Sequence, residues 1–160
     1  MKIFVQSAVF LAVLLGSSLT QAANTTASIP MGLEVPKSCS FSDVSTGIVL
    51  PEDGSEAQGS FTLSCNIDGG FNTTYSFDSK NNNSSPRVKN MEGNSLPITA
   101  RVKSACCDLS LDNGSETIYF NYSWLNQPIL GIVTAKLVNP TTVTTPAGVY
   151  TDTFRVNVNY

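Results

Sequence analysis

The chain has 160 residues, a net charge of −3 and only 13% charged side chains. That balance lacks the basic footprint of a nucleic-acid binder, and the length suits one domain with a sizeable core. Histidine is absent, which removes the commonest general base and metal ligand.

Residues 1–22 read as a secretory signal peptide. Lys2 supplies the positive start, residues 3–15 are nearly all apolar, and Thr20-Gln21-Ala22 places small residues where a signal peptidase cuts. The apolar run is shorter than the roughly 20 residues of a membrane helix, and no later stretch is long enough. The mature chain, starting at Ala23, is expected to be exported and soluble, with no membrane insertion and no nucleic acid partner.

The next run is residues 27–35. Here Ala27, Ile29, Met31, Leu33 and Val35 alternate with Ser28, Pro30, Gly32 and Glu34, the period of a half-buried strand. Further candidate strands cover 59–67, 72–78, 97–104, 117–122, 131–137 and 150–160. Breakers separate them: Pro51-Glu52-Asp53-Gly54, Asp68-Gly69-Gly70, the Asn-rich stretch 80–86, Asp112-Asn113-Gly114, Asn139-Pro140 and Pro146-Ala147-Gly148. The last run is the most regular, with Phe154, Val156, Val158 and Tyr160 alternating with Arg155, Asn157 and Asn159. Outside the signal peptide no window carries a helical stripe. About seven strands at this spacing predict an all-β, immunoglobulin-like antiparallel β-sandwich. Trp124 lacks the Cys…Trp…Cys spacing of an antibody domain.

Four cysteines in an exported chain point to an oxidising compartment. Of the three pairings we favour Cys39–Cys65, which flank a loop-rich segment; closing a loop of that size contributes roughly 3–4 kcal/mol. Cys106 and Cys107 are then left adjacent. On a strand their side chains would face opposite ways. Three readings stay open: a reduced pair with one thiol buried, a strained disulfide at a turn, or a different pairing of all four.

Catalysis has little to work with. There is no Gly-rich phosphate loop and no G-x-S-x-G elbow. Glu52, Asp53 and Glu56 cluster in a loop, but calcium needs more oxygen ligands at ordered spacing, so we read a solvated turn. Two adjacent cysteines do not make a tetrahedral metal site alone. We therefore expect no enzyme, no metal and no cofactor. Tyr119, Tyr122 and Trp124, near Asn121 and Asn126, are of types that stack on sugars, though such aromatics more often pack in a core or interface.

The two regular strands at the ends suggest how the chain works. After Tyr160 no residues remain for a closing strand, while the strand at 27–35 is spare. A sandwich short of one strand exposes an apolar groove flanked by unpaired backbone. An extended segment from a neighbour repairs both defects. Ala27, Ile29, Met31, Leu33 and Val35 suit that role because all five share one face. Burying one large aliphatic side chain is worth about 1.5–3 kcal/mol, so several hold a joint firmly. The plainer reading is that 27–35 is an ordinary first strand of its own domain.

The signal peptide, the short N-terminal strand, Cys39 and Cys65, and the ending P-A-G-V-Y-T-D-T-F-R-V-N-V-N-Y resemble bacterial pilin subunits of the chaperone–usher pathway. The closing motif Gly148-x-Tyr150-x-Asp152-Thr153, followed by alternation to Tyr160, is similar to the spore coat protein U-like group, which includes the archaic pilins. The resemblance implies an incomplete sandwich completed by a donor strand. It divides the chain into a signal peptide (1–22), a donor-strand extension (23–36) and a pilin-like domain (37–160). It implies a periplasmic chaperone that lends a strand, an outer-membrane usher that swaps it for the next subunit's extension, and neighbouring pilus subunits as lasting partners. Carried over, Ala27, Ile29, Met31, Leu33 and Val35 are the donor residues. Phe154, Val156, Val158 and Tyr160 line the acceptor groove or pair with the chaperone, which anchors the Tyr160 carboxylate. Cys39–Cys65 becomes the disulfide beside the groove. Two departures stand out: Ser45-Thr46-Gly47 replaces a Phe-Gly turn, and Cys106-Cys107 is unusual for these subunits. The expected product is a structural subunit of a surface fimbrium that supports cell adhesion or biofilm formation. A minor or tip adhesin that binds a host ligand, and a non-fimbrial secreted coat protein of the same fold, are the alternatives.

Overall fold

The computed structural model describes residues 28–79 and 85–160. The expected signal peptide, Ala27 and most of the Asn-rich loop lie outside them. Contact density separates a unit up to Glu34 from one spanning Val35–Tyr160. Within the first, Ile29, Met31 and Leu33 are 84%, 95% and 88% exposed. Residues 28–38 belong to no strand. The expected strand over 27–35 is therefore not formed in its described part. Its alternation is one-sided, and an isolated strand has no ladder to hold it.

Among the described residues the second unit is all-β apart from one short 3₁₀ turn, and its strands pair antiparallel throughout. In chain order they are β1 (Cys39–Ser42), β2 (Ala57–Cys65), β3 (Phe71–Phe77), β4 (Arg87–Lys89), β5 (Ser95–Ser104), β6 (Asp108–Ser110), β7 (Ser115–Phe120), β8 (Ile129–Leu137) and β9 (Phe154–Asn159). One sheet runs β1-β2-β8-β5-β4, with β6 beside the far end of β5; the other runs β7-β3-β9. The long strands are those whose alternation was plain in the sequence. In β2, Phe61, Leu63 and Cys65 point inward and are buried; in β5, Ile98, Ala100 and Val102; in β8, Ile129, Val133, Ala135 and Leu137. From the facing sheet come Phe71, Tyr75 and Phe77. The two inner faces meet in one core, where Phe61 lies 6.3 Å from Tyr75 between ring centroids.

Among the described residues nine strands are present where about seven were expected. The additional ones, β1, β4 and β6, are three or four residues long, too short for alternation to mark them off from a loop. The expected strand at 117–122 ends early, because Tyr122–Trp124 turn into the 3₁₀ helix. The run expected at 150–160 yields β9 only from Phe154, preceded by a single bridge between Lys89 and Thr151.

Candidate functional site: an apolar cleft beside the last strand

Both strands of interest here lie at sheet edges. β9 pairs with β3 on one side, Phe77 opposite Phe154 through Asn72 opposite Asn159, and with no named strand on the other among the described residues. β1 ends the larger sheet, and the chain beyond it, residues 43–50, leaves the ladder. Asp43 takes a left-handed φ of 50°. Ser45 then returns to β2: its amide donates to the Ser60 carbonyl at 2.9 Å, and its Oγ accepts from the Ser60 amide at 2.8 Å. Ile48 packs across Gly59, where any Cβ would stand 2.8 Å from Ile48 Cγ1.

Between these edges a cleft of about 1230 Å³ opens into the core. Its floor is the inner face of the larger sheet: Phe61 of β2, Ile98 of β5, and Val133, Ala135 and Leu137 of β8. Ile48 and Leu50 form one wall, and Phe154 and Val156 of β9 form the other. The mouth is edged by residues 145–153. No charged side chain belongs to the floor, so the cleft offers an extended ligand two things. One is a set of apolar pockets; the other is the outward backbone N–H and C=O groups of an edge strand. Its acidic lining residues are Glu52 and Asp152, and among the described residues no group of His, Cys, Asp and Glu is placed to hold a metal.

The floor is shaped by glycine. Gly131 sits opposite Phe61 in the β2–β8 ladder. A Cβ there would stand 2.2 Å from Phe61 Cζ, so only glycine lets the ring lie flat on β8. Phe61 is held on its other sides by Phe41, 6.0 Å away, and by Tyr75, whose phenol pKa is raised chiefly by burial.

The motif Gly148-x-Tyr150-x-Asp152-Thr153 builds the mouth. Asp152 accepts from the Ser79 amide at 3.1 Å, from the Ser79 hydroxyl, and from the Thr153 amide at 2.8 Å. Ser79 Oγ in turn accepts from the Arg87 amide at 3.0 Å. Tyr150 donates its hydroxyl to the Pro146 carbonyl at 2.7 Å. Gly148 has φ 149° beside Asn90, a region that side-chain-bearing residues rarely enter. Just beyond, Arg155 donates to Asp78, with Nη2 at 2.8 Å from Oδ2. That guanidinium holds the Asp78 carboxyl below the usual carboxylate range. The motif is thus a bracket that fixes where β9 begins.

A second bracket lies at the Cys39–Cys65 disulfide. The Asn66 amide donates to the Ser38 carbonyl at 3.0 Å. Its side chain accepts from the Ser38 amide at 2.6 Å and donates to the Pro36 carbonyl at 2.9 Å. Lys37 adds an ion pair to Asp68 at 3.2 Å. Residues 36–38 are therefore tied to the end of β2.

Of the residues singled out from sequence, Phe154 and Val156 line the cleft. Val158 is half-buried against the core outside the lining, and Tyr160 is 62% exposed. Val35 is exposed. Cys106 and Cys107 are unpaired. Trp124 packs edge-on to Phe120 at 5.9 Å; Tyr119 is 61% exposed, and its hydroxyl donates to the Gly69 carbonyl at 3.1 Å. Of the carboxylate cluster, Glu56 pairs with Lys136 at 3.3 Å and Asp53 accepts from the Ser55 amide at 2.9 Å. The floor is not legible in the sequence. The inward residues of 59–67 and 131–137 were visible as alternation, but nothing local marks which part of a core lies open.

No protein-family model and no curated relative matches the chain. Among solved structures it is similar to a chain of the CsuC–CsuE chaperone–tip adhesion subunit pre-assembly complex, from the archaic chaperone–usher Csu pili of Acinetobacter baumannii. The identity is 18%, over 79% of this chain and 40% of that one, with a TM-score of 0.50. It is also similar to a chain of a chaperone–tip adhesin complex of CFA/I fimbriae biogenesis, at 16% identity, over 86% of this chain and 40% of that one, with a TM-score of 0.43. The chain thus spans less than half the length of either solved chain. Its antiparallel sandwich has the chaperone–usher pilin-like fold.

Proposed function

We propose that this chain is a non-enzymatic structural pilus subunit that polymerises by donor-strand exchange, supporting cell adhesion or biofilm formation. The cleft carries the reading. An apolar floor and β9, an edge strand paired on one side only among the described residues, lie together in one opening. The same chain contains an apolar run with matching alternation and no partner of its own: Ile29, Met31, Leu33 and Val35 are all exposed. Each half has what the other lacks, and a second copy brings them together. Residues 23–36 act as the donor extension and 37–160 as the domain that receives it. Ala27, Ile29, Met31, Leu33 and Val35 fill the cleft, with Phe154 and Val156 as one wall and Val158 and Tyr160 continuing the edge. On this reading a periplasmic chaperone fills the cleft first. An outer-membrane usher then exchanges it for the next subunit, and the product is a surface fimbrium.

The test compares the full chain with one lacking residues 23–35, each co-expressed in a periplasm with a chaperone and then sized. The expected result is heat-resistant ladders from the first and monomers from the second, with the truncated form accepting an added 27–35 peptide. Equally stable monomers from both would remove strand exchange through this segment.

A further inference from the structure

The tip of the β5–β6 hairpin carries a chemistry that the cleft does not use. Ser104 and Cys107 face each other and exchange both backbone hydrogen bonds: the Ser104 amide donates to the Cys107 carbonyl at 2.8 Å, and the Cys107 amide to the Ser104 carbonyl at 3.3 Å. Only Ala105 and Cys106 remain as the loop. Adjacent side chains oppose each other on a strand, but Cys106 stands in the turn and Cys107 pairs with Ser104 just before β6 begins. The alternation that would part their thiols is broken at this peptide. Cys106 is exposed, and its Sγ lies 3.3 Å from Ser104 Oγ. Cys107 is half-buried. The neighbouring Cys106 thiol first, and burial second, push its pKa up to about 11, which makes it the poorer nucleophile near neutral pH. Neither cysteine lines the cleft.

We propose that Cys106-Cys107 is a thiol–disulfide exchange site, with Cys106 as the attacking thiol and Cys107 as the resolving one. The ligand class is an accessible disulfide, R–S–S–R′. The Cys106 thiolate attacks one sulfur, the R–S–S–R′ bond breaks, and R′S⁻ leaves and takes a proton. Cys107 then gives its proton to solvent, and its sulfur attacks the Cys106 side of the mixed disulfide. The Cys106–Cys107 bond forms and RS⁻ leaves. The two cysteines lose two electrons in all, and the partner disulfide is reduced to two thiols. Closing the ring distorts the peptide between the two cysteines, and the longer of the two closing hydrogen bonds, from the Cys107 amide at 3.3 Å, is the one to give.

The test uses the full chain with Cys39–Cys65 intact, treated in one arm with oxidised glutathione and in the other with the disulfide form of a thioredoxin-fold oxidase. The tryptic peptide beginning at Ser104 is then read by mass spectrometry. The wild-type peptide is expected to lose two hydrogens and retain no adduct; the faster arm identifies the preferred source of the disulfide. Cys107→Ser is expected to stop at one mixed disulfide on Cys106. Cys106→Ser should react at least about tenfold more slowly than Cys107→Ser. Stable adducts on both wild-type cysteines, no reaction in either arm, or equal rates for the two variants would overturn the proposal. Unchanged circular dichroism of both variants keeps a folding defect from imitating either result.

Discussion

Gly131→Ala adds a single methyl group against Phe61, a residue of the cleft floor, at a place where the structure has no room for it. The new Cβ would meet Phe61 at 2.2 Å from Cζ, with Cε1 and Cε2 at 2.5 and 2.7 Å. Ordinary contact begins near 3.4 Å, so the ring must retreat by about 1 Å or more. It cannot swing freely, because Phe41 and Tyr75 pack against it. Over-packing of this kind costs about 1–3 kcal/mol. The assay is urea unfolding of the variant and its parent at equal slope, so that a shifted midpoint reports stability alone. Pairing the change with Phe61→Leu completes a double-mutant cycle. The smaller side chain should recover part of the loss, giving a coupling of about 1 kcal/mol. A variant within about 0.5 kcal/mol of the parent, or strictly additive effects, would refute the placement of Phe61 on β8. The same variant should accept a 27–35 peptide less well, since the ring moves into the cleft.

Other expectations follow from the two brackets and the disulfide. Replacing Cys39 and Cys65 together by Ala opens a loop with a sequence separation of 26 and should cost about 3.5 kcal/mol in the chain-entropy account, read from chemical denaturation. Asn66→Ala removes the two side-chain hydrogen bonds to Pro36 and Ser38 and should cost about 1–2 kcal/mol, with faster hydrogen exchange at the Ser38 amide as its local signature. Asp78 is depressed below its ordinary value by the hydrogen bond from Arg155. Its contribution is therefore present above the unfolded pKa of about 3.9 and lost as pH falls through the lower folded value. Asp78→Asn should lower the denaturation midpoint at pH 7 and flatten its fall below about pH 4; a variant with unchanged acid sensitivity would contradict the ion pair.

The sheets were legible where the chain alternates for long enough. β2, β5, β8 and β9 declare their inward faces through residues such as Leu63, Val102, Val133 and Val156. β4 and β6 did not, because three residues cannot distinguish a strand from a loop. The Cys39–Cys65 bond was readable from the loop it closes, and the structure places the pair directly opposite each other in the β1–β2 ladder. One wall of the cleft was legible in Phe154 and Val156. The floor was not, since Ala135 and Leu137 read like any buried pair until the opening above them is seen. The role of Asp152 was hidden for another reason: its partner Ser79 is 73 positions away, and no local pattern announces such a bond.

A strand from a second copy is proposed to complete the sheet at β9, and hydrogen exchange reads this directly. In the chain lacking residues 23–35, the β9 amides that point away from β3 should exchange quickly, and adding a 27–35 peptide should protect those amides while leaving the β3-facing ones unchanged. A peptide that binds without protecting the outward amides of β9, or that fails to bind a folded truncated chain, would contradict the account.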